Sequence, residues 1–348
     1  MTEGDYNLIR KLDITTGKEI AKVQFNKADA RPYTIIRGDN NIGYIFSQSS
    51  QKVYRMDLNS GQLIGSIEMP FSFAGWGFYQ DKLYFGSGNS IYVVKPSNGK
   101  IIKEYRIGDN FNPKTFTFFG DKMATIDFEV GSMVGRRLFF FDIKNMSIIK
   151  SIDLPREPHG DKVIVSPDGS KLYIERGQMI GTAVITVFNA STLEVINTIE
   201  IPVVPQRRGA TGFVEADFDE TNRILYLAGF TSIYKINMDT DKLIDILDLI
   251  DVYESQNIHG WPPSGLCGVV LSSSKDKLFV ISGDAHSMYA YELIKSSWTT
   301  KITNLKGYFI TDAITSSDRR YLYTVNQESD SITMVDLNSG DVVRIIEL

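Results

Sequence analysis

Three histidines, His159, His259 and His286, are the whole imidazole complement of this 348-residue chain. Each falls in a stretch where the alternation of apolar and polar residues breaks down. The carboxylates Glu129, Glu175 and Asp284 occupy similar breaks. A histidine beside a carboxylate titrates near neutral pH and can pass a proton to or from a substrate, so His159, His286, Glu129, Glu175 and Asp284 are the catalytic candidates. Imidazoles with Asp284 could also ligate a metal. No HxH, HxxxH or HExxH pair occurs, however, so the spacing points to ordinary hydrogen-bonded loop histidines and to no metal. Arg136, Arg176 and Arg208 could clamp a carboxylate or phosphate through their forked donors. With Trp76, Trp261 and His259 they make up the ligand-binding candidates. Against this stand solvated or ion-paired arginines, and aromatic rings that simply pack between sheets.

Other chemistry-bearing patterns weaken on inspection. Gly86-Ser87-Gly88 has two close glycines but no helix to follow, so a phosphate cradle is not expected. Cys267, the single cysteine, opens an apolar strand and reads as a small buried hydrophobe. It also excludes an intramolecular disulfide or a paired-cysteine metal knuckle. Asp239-Thr240-Asp241 lacks the glycine and terminal glutamate of a calcium loop. No cofactor motif stands out, and none is expected.

Hydrophobic residues make up 43% and charged residues 23% of the chain, with a net charge of -5, which argues against disorder and against nucleic-acid binding. No apolar run reaches the ~18 residues of a membrane helix, and the first residues lack the basic and apolar regions of a leader. The chain reads as soluble, with no membrane partner, and cytoplasmic as written; an exported mature form is the alternative.

The elements that must position these residues repeat. An alternating apolar run ends in Asp or Asn, a turn follows, and a second run begins: Leu12-Asp13-Ile14-Thr15-Thr16-Gly17, Met56-Asp57-Leu58-Asn59-Ser60-Gly61, Phe141-Asp142-Ile143, Phe188-Asn189-Ala190, Ile236-Asn237-Met238 and Val335-Asp336-Leu337-Asn338-Ser339-Gly340. Lys95 and Glu292 fill the two gaps, giving intervals of 44, 38, 47, 47, 48, 55 and 44 residues. Four short strands fit that length. Tight turns such as Ser166-Pro167-Asp168-Gly169, Ser274-Lys275-Asp276 and Ser317-Asp318-Arg319 join two further strands upstream in each unit. The expectation is an all-β protein, a single β-propeller domain spanning residues 1–348 and made of four-stranded antiparallel blades. Seven quartets run from about residue 31 to 348, and residues 6–25 form an extra outer hairpin. Eight blades, one half-built, is the alternative.

Asp330-Ser331-Ile332-Thr333-Met334-Val335-Asp336-Leu337-Asn338-Ser339-Gly340, preceded by Tyr321-Leu322-Tyr323-Thr324-Val325-Asn326, resembles the YVTN-type propeller repeat. Ser166-Pro167-Asp168-Gly169-Ser170-Lys171-Leu172-Tyr173 resembles its inner turn, and the likeness extends over nearly the whole chain. The chain is also similar to the propeller subunits of quinoprotein amine dehydrogenases, where a stretch like Gly260-Trp261-Pro262-Pro263-Ser264-Gly265 precedes an inner strand. That resemblance implies a scaffold role, since in that group the redox cofactor sits on a partner chain. It carries over no catalytic residue.

Strand direction alternates within a blade, so the tight turns gather at one end and the longer connections at the other. The latter include residues 127–136, 155–161, 203–212 and 250–266, and they carry the candidate residues. Long ordered connections commonly carry function. The expected function is therefore binding of a small molecule, protein or peptide at the long-loop face around a central channel. The alternative is a lyase, hydrolase or isomerase using the His, Arg and carboxylate groups at the axial mouth.

Overall fold

The computed structural model describes residues 2–3, 8–25, 34–47, 50–107, 113–128, 135–145, 147–154, 163–176, 183–202, 215–229, 231–255, 266–283, 285–306, 310–326 and 329–347. Backbone contacts divide the chain into two compact units, Met1–Arg156 and Glu157–Leu348.

Val, Ile, Tyr and Phe alternate with polar residues, and each such run forms a strand. Seven sheets are four-stranded, antiparallel and strictly sequential in order, which makes them the blades of an all-β propeller. Blades 1, 2 and 3 (residues 34–68, 75–106 and 113–153) belong to the first unit. Blades 4, 5, 6 and 7 (residues 163–201, 215–248, 266–304 and 310–347) belong to the second. The hairpin Leu8–Leu12 and Glu19–Gln24 pairs with Thr2–Glu3 in a separate three-stranded sheet, and not with the outer edge of a four-stranded blade. It stacks face to face on blade 1, where Ile9 and Phe25 pack with Ile45, Tyr54 and Met56. The connection after blade 5 contains a six-residue helix, Ile250–Ser255, which is too short to show a helical period in the sequence. Among the described residues no helix is long and apolar enough to cross a membrane.

In blades 1, 3, 4, 5 and 7 the recurring Asp or Asn ends the third strand and shapes the turn that follows. Asp57 Oδ1 accepts the amides of Asn59 and Ser60 at 2.7 and 2.8 Å. Asn237 Oδ1 does the same for Asp239 and Thr240, and Asp336 for Asn338 and Ser339. A chain folded back this tightly ends in the left-handed region, where glycine has no Cβ to clash; Gly17, Gly61, Gly99 and Gly340 sit there at φ 72 to 73°.

Just beyond these turns the fourth strand steps out of register. Val93 pairs with Lys103 but Val94 with Ile101, so Ile102 stands outside the ladder. Ile20, Ile64, Ile149, Ile196, Ile244 and Val343 are displaced in the same way. All seven bulged side chains face solvent.

The packing between blades differs in character between the units. In the first it is aromatic: Tyr44 stacks on Phe78 at 5.2 Å, and Tyr79 on Phe118 at 4.8 Å and 3°. In the second it is mostly aliphatic, as where Leu225, Leu227 and Ile236 of blade 5 meet Ile185, Val187 and Ile199 of blade 4.

Candidate functional site

The two ends of the blades are chemically distinct. At the tight-turn end the second unit is laced by ion pairs between neighbouring blades. Arg223 of blade 5 donates to Asp168 of blade 4 at 3.1 Å and to Asp239 at 3.0 Å. Lys171 of blade 4 reaches Asp241 of blade 5 at 2.7 Å, and Lys275 of blade 6 reaches Asp219 and Thr221 at 3.2 and 2.8 Å. The turns themselves are closed by their own side chains. Asp168 Oδ1 accepts from Ser166 Oγ, Ser170 Oγ and the Ser170 amide, and these donors hold its carboxyl far below the usual carboxylate range.

At the opposite end, where the longer connections leave, a buried polar residue recurs. The second strand ends in or next to Ser47, Asp127, Ser282 or Asn326, all 0% exposed, in blades 1, 3, 6 and 7. The third strand opens with buried Ser90, Ser232, Ser287 or Ser331 in blades 2, 5, 6 and 7. Buried polar groups persist where they are paired, and these are paired locally. Asn326 Nδ2 donates to Ser331 Oγ at 3.1 Å and to Thr333 Oγ1 at 2.9 Å, and Thr333 donates in turn to Leu305 O at 2.6 Å. Ser232 donates to Asp248 at 3.1 Å, and the other Asp248 oxygen accepts the Ile250 amide at the start of the helix. Ser282 accepts the Ala285 amide, and Ser287 donates to Ala285 O. Arg137 lies 3.8 Å from Asp127, with its guanidinium 5.3 Å from the centre of the Phe139 ring. Each of these blades thus carries a polar seat at the root of its long connection.

Several candidates lie in strand ends and not in connections. Trp76 is the second residue of the strand Gly75–Tyr79, Arg136 lies in Gly135–Asp142, and Glu175 and Arg176 close Lys171–Arg176. In blade 4 Glu175 pairs with Ile185 and Arg176 with Val184, whereas Arg136 stands at a register shift of blade 3, between Gly135 paired with Phe128 and Arg137 paired with Asp127. His286 sits in the turn between the second and third strands of blade 6, in the left-handed region at φ 51°. Its amide donates to Gly283 O at 3.3 Å and its carbonyl accepts from Leu305 at 2.9 Å. Glu129, His159, Arg208, His259, Trp261 and Asp284 lie outside the described residues. Among the candidates, only Trp76 and His286 have described side chains, and they belong to different units. Among the described residues no group of three or more His, Cys, Asp or Glu is placed to hold a metal ion.

Trp76 belongs to an aromatic cluster between blades 1 and 2, with Phe46, Phe73 and Phe85. Phe71 joins it by stacking on Tyr92 at 4.0 Å. Tyr92 donates to Glu104 at 3.1 Å; burial and that neighbouring carboxylate both push its phenol up. Sequence reasoning missed the inter-blade ion pairs altogether, since their members stand 55 to 102 residues apart with no local pattern to connect them. The polar seats had a visible signal, a Ser, Asp or Asn closing an otherwise apolar strand.

No family model and no curated protein matches the sequence. Solved structures do match in shape. Dihydro-heme d1 dehydrogenase NirN in complex with DHE aligns with 99% of this chain and 71% of its own, with a TM-score of 0.73 at 12% identity. AztD from Citrobacter koseri aligns over 100% and 93%, with a TM-score of 0.67 at 10% identity. BamB from Moraxella catarrhalis aligns over 91% of each chain, with a TM-score of 0.63 at 12% identity. At such identities the likeness supports the β-propeller fold and no particular activity.

Proposed function

We propose that this chain is a binding propeller of the YVTN type that presents its long-connection end to a protein, peptide or small-molecule ligand. The observation that carries this reading is the difference between the two ends of the blades. The tight-turn end satisfies its own polar groups through Asp and Asn caps and ion pairs. At the other end, buried Ser, Asp and Asn residues fix the roots of connections that carry His, Arg and Trp. Rigid roots under variable connections are the arrangement by which a scaffold positions binding groups. The likeness to amine dehydrogenase propeller subunits fits the same scaffold reading.

Ligand-dependent thermal shifts test the proposal. The full chain is screened against small molecules and peptides, first as wild type and then with Arg136, Arg208, His259 and Trp261 changed singly to alanine. A hit whose shift disappears in two or more of these variants, with the unliganded melting temperature unchanged, supports it. A hit that survives all four and is instead lost in Asp168→Ala or Asn237→Ala overturns it.

A further inference from the structure

Asp217, on the first strand of blade 5, is buried and accepts four hydrogen bonds from three blades. Its own blade contributes the Phe218 amide to Oδ1 at 2.8 Å. Blade 6 contributes the Leu271 amide to Oδ2 at 2.8 Å. Blade 7 contributes both terminal nitrogens of Arg319, at 2.6 Å to Oδ2 and 2.8 Å to Oδ1. The guanidinium therefore crosses the end of blade 6 to reach blade 5, over a separation of 102 residues.

The backbone that carries Arg319 makes the contact more telling. Arg319 is in the left-handed region at φ 54°, and its amide closes the turn onto Ser316 O. Gly169 occupies the matching position in blade 4, closing onto Ser166 O, and Lys275 the matching position in blade 6, closing onto Ser272 O. A side chain at such a φ costs ~1 kcal/mol that glycine avoids. Blades 6 and 7 carry that cost with long cations, and both cations turn back to carboxylates of blade 5, Lys275 to Asp219 and Arg319 to Asp217. Both carboxylates are buried, but Lys275 makes only a single contact with Asp219, at 3.2 Å. The Arg319 pair is two-pronged, and its carboxylate is out of solvent, so removing the cation strands a buried charge.

We infer that Asp217 is the hub of an electrostatic clasp that makes blades 5, 6 and 7 open as one unit, with Arg319 holding the last blade to the others. Hydrogen exchange read by mass spectrometry on the full chain tests this. In the wild type the strand amides of blades 5, 6 and 7 share one opening rate. Arg319→Gly relieves the left-handed cost and deletes the clasp. It should speed exchange in Ile310–Thr315 and Tyr321–Asn326 at least about tenfold relative to Lys171–Arg176 of blade 4. If that variant does not fold, Arg319→Lys, which keeps the charge but loses one prong, should give a smaller acceleration confined to the same strands. Unchanged exchange in blade 7, an acceleration of equal size in blade 4, or separate opening rates for blades 5, 6 and 7 in the wild type would each overturn the clasp.

Discussion

Trp76 lies flat against Phe46, ring centres 5.4 Å apart at 17°, and meets Phe73 edge-on at 5.9 Å. Its indole is thus a joint between blades 1 and 2. Trp76→Ala should lower stability by about 3 kcal/mol, while Trp76→Phe keeps most of the contact. Urea unfolding of both variants checks this. A loss below about 1 kcal/mol in Trp76→Ala would return the residue to the ligand-contacting set.

The capped turns set an acid limit. The hydroxyls of Ser166 and Ser170 hold Asp168 below the ordinary carboxylate range, Ser274 and Ser272 lower Asp276, and Ser316 with the Arg320 amide lowers Asp318. A carboxyl whose folded pKa is depressed stabilises the fold fully above its unfolded value of about 4, and that stabilisation is lost as pH falls through the folded value. Urea midpoints should therefore be flat from pH 7 to 5 and decline below about pH 4. Asp168→Asn should shallow that decline. An unchanged acid limb in the variant would show that its Ser partners bind the neutral group as well.

Asn237 isolates the turn cap from any charge. It accepts two amides and the Thr240 hydroxyl, at 2.8 to 3.1 Å. Asn237→Ala should cost about 1 kcal/mol, and Asn237→Asp, which restores the residue found at the same point in blades 1, 3 and 7, close to nothing at pH 7. Equal losses in the two variants would point to the side-chain amide and not to the shared oxygen. Chemical denaturation compares them.

Two glycines should respond in opposite ways to one methyl group. A Cβ on Gly86 of blade 2 would stand 2.1 Å from the carbonyl oxygen of Pro113 on blade 3, a backbone atom that cannot turn aside. Gly120 sits at φ 54° with nothing within 4 Å of its missing Cβ. Gly86→Ala should cost about 2 to 3 kcal/mol by forcing the blades apart, and Gly120→Ala about 1 kcal/mol from its backbone alone. Thermal melts of the pair measure the difference, and a reversed order would mean that blades 2 and 3 separate cheaply.

The blade pattern was legible because it is local. Asp13, Asp57, Asp142, Asn189, Asn237 and Asp336 recur at hairpin spacing, and each accepts the amides of its own turn, so a short window holds the whole cause. The sorting of connections by length follows from strand alternation for the same reason. What joins one blade to the next is not local. Nothing in the neighbourhood of Arg319 distinguishes it from Arg320, which pairs within its own blade with Asp336 at 3.5 Å, yet Arg319 reaches Asp217. Trp76 and the arginines look alike to a reader of residue types, and only packing separates a ring that joins blades from one that faces a ligand.

The displaced residue on the outer strands has a consequence for how the chain tolerates changes in length. One residue more or fewer in a paired strand normally turns every following side chain over to the other face. In these hairpins a residue already stands outside the ladder. Losing Ile102 would leave Val93 opposite Lys103 and Val94 opposite Ile101, with the remainder of the strand facing as before. Single-residue insertions and deletions between homologues should accumulate at these seven points, where the sheet absorbs them without repacking its core.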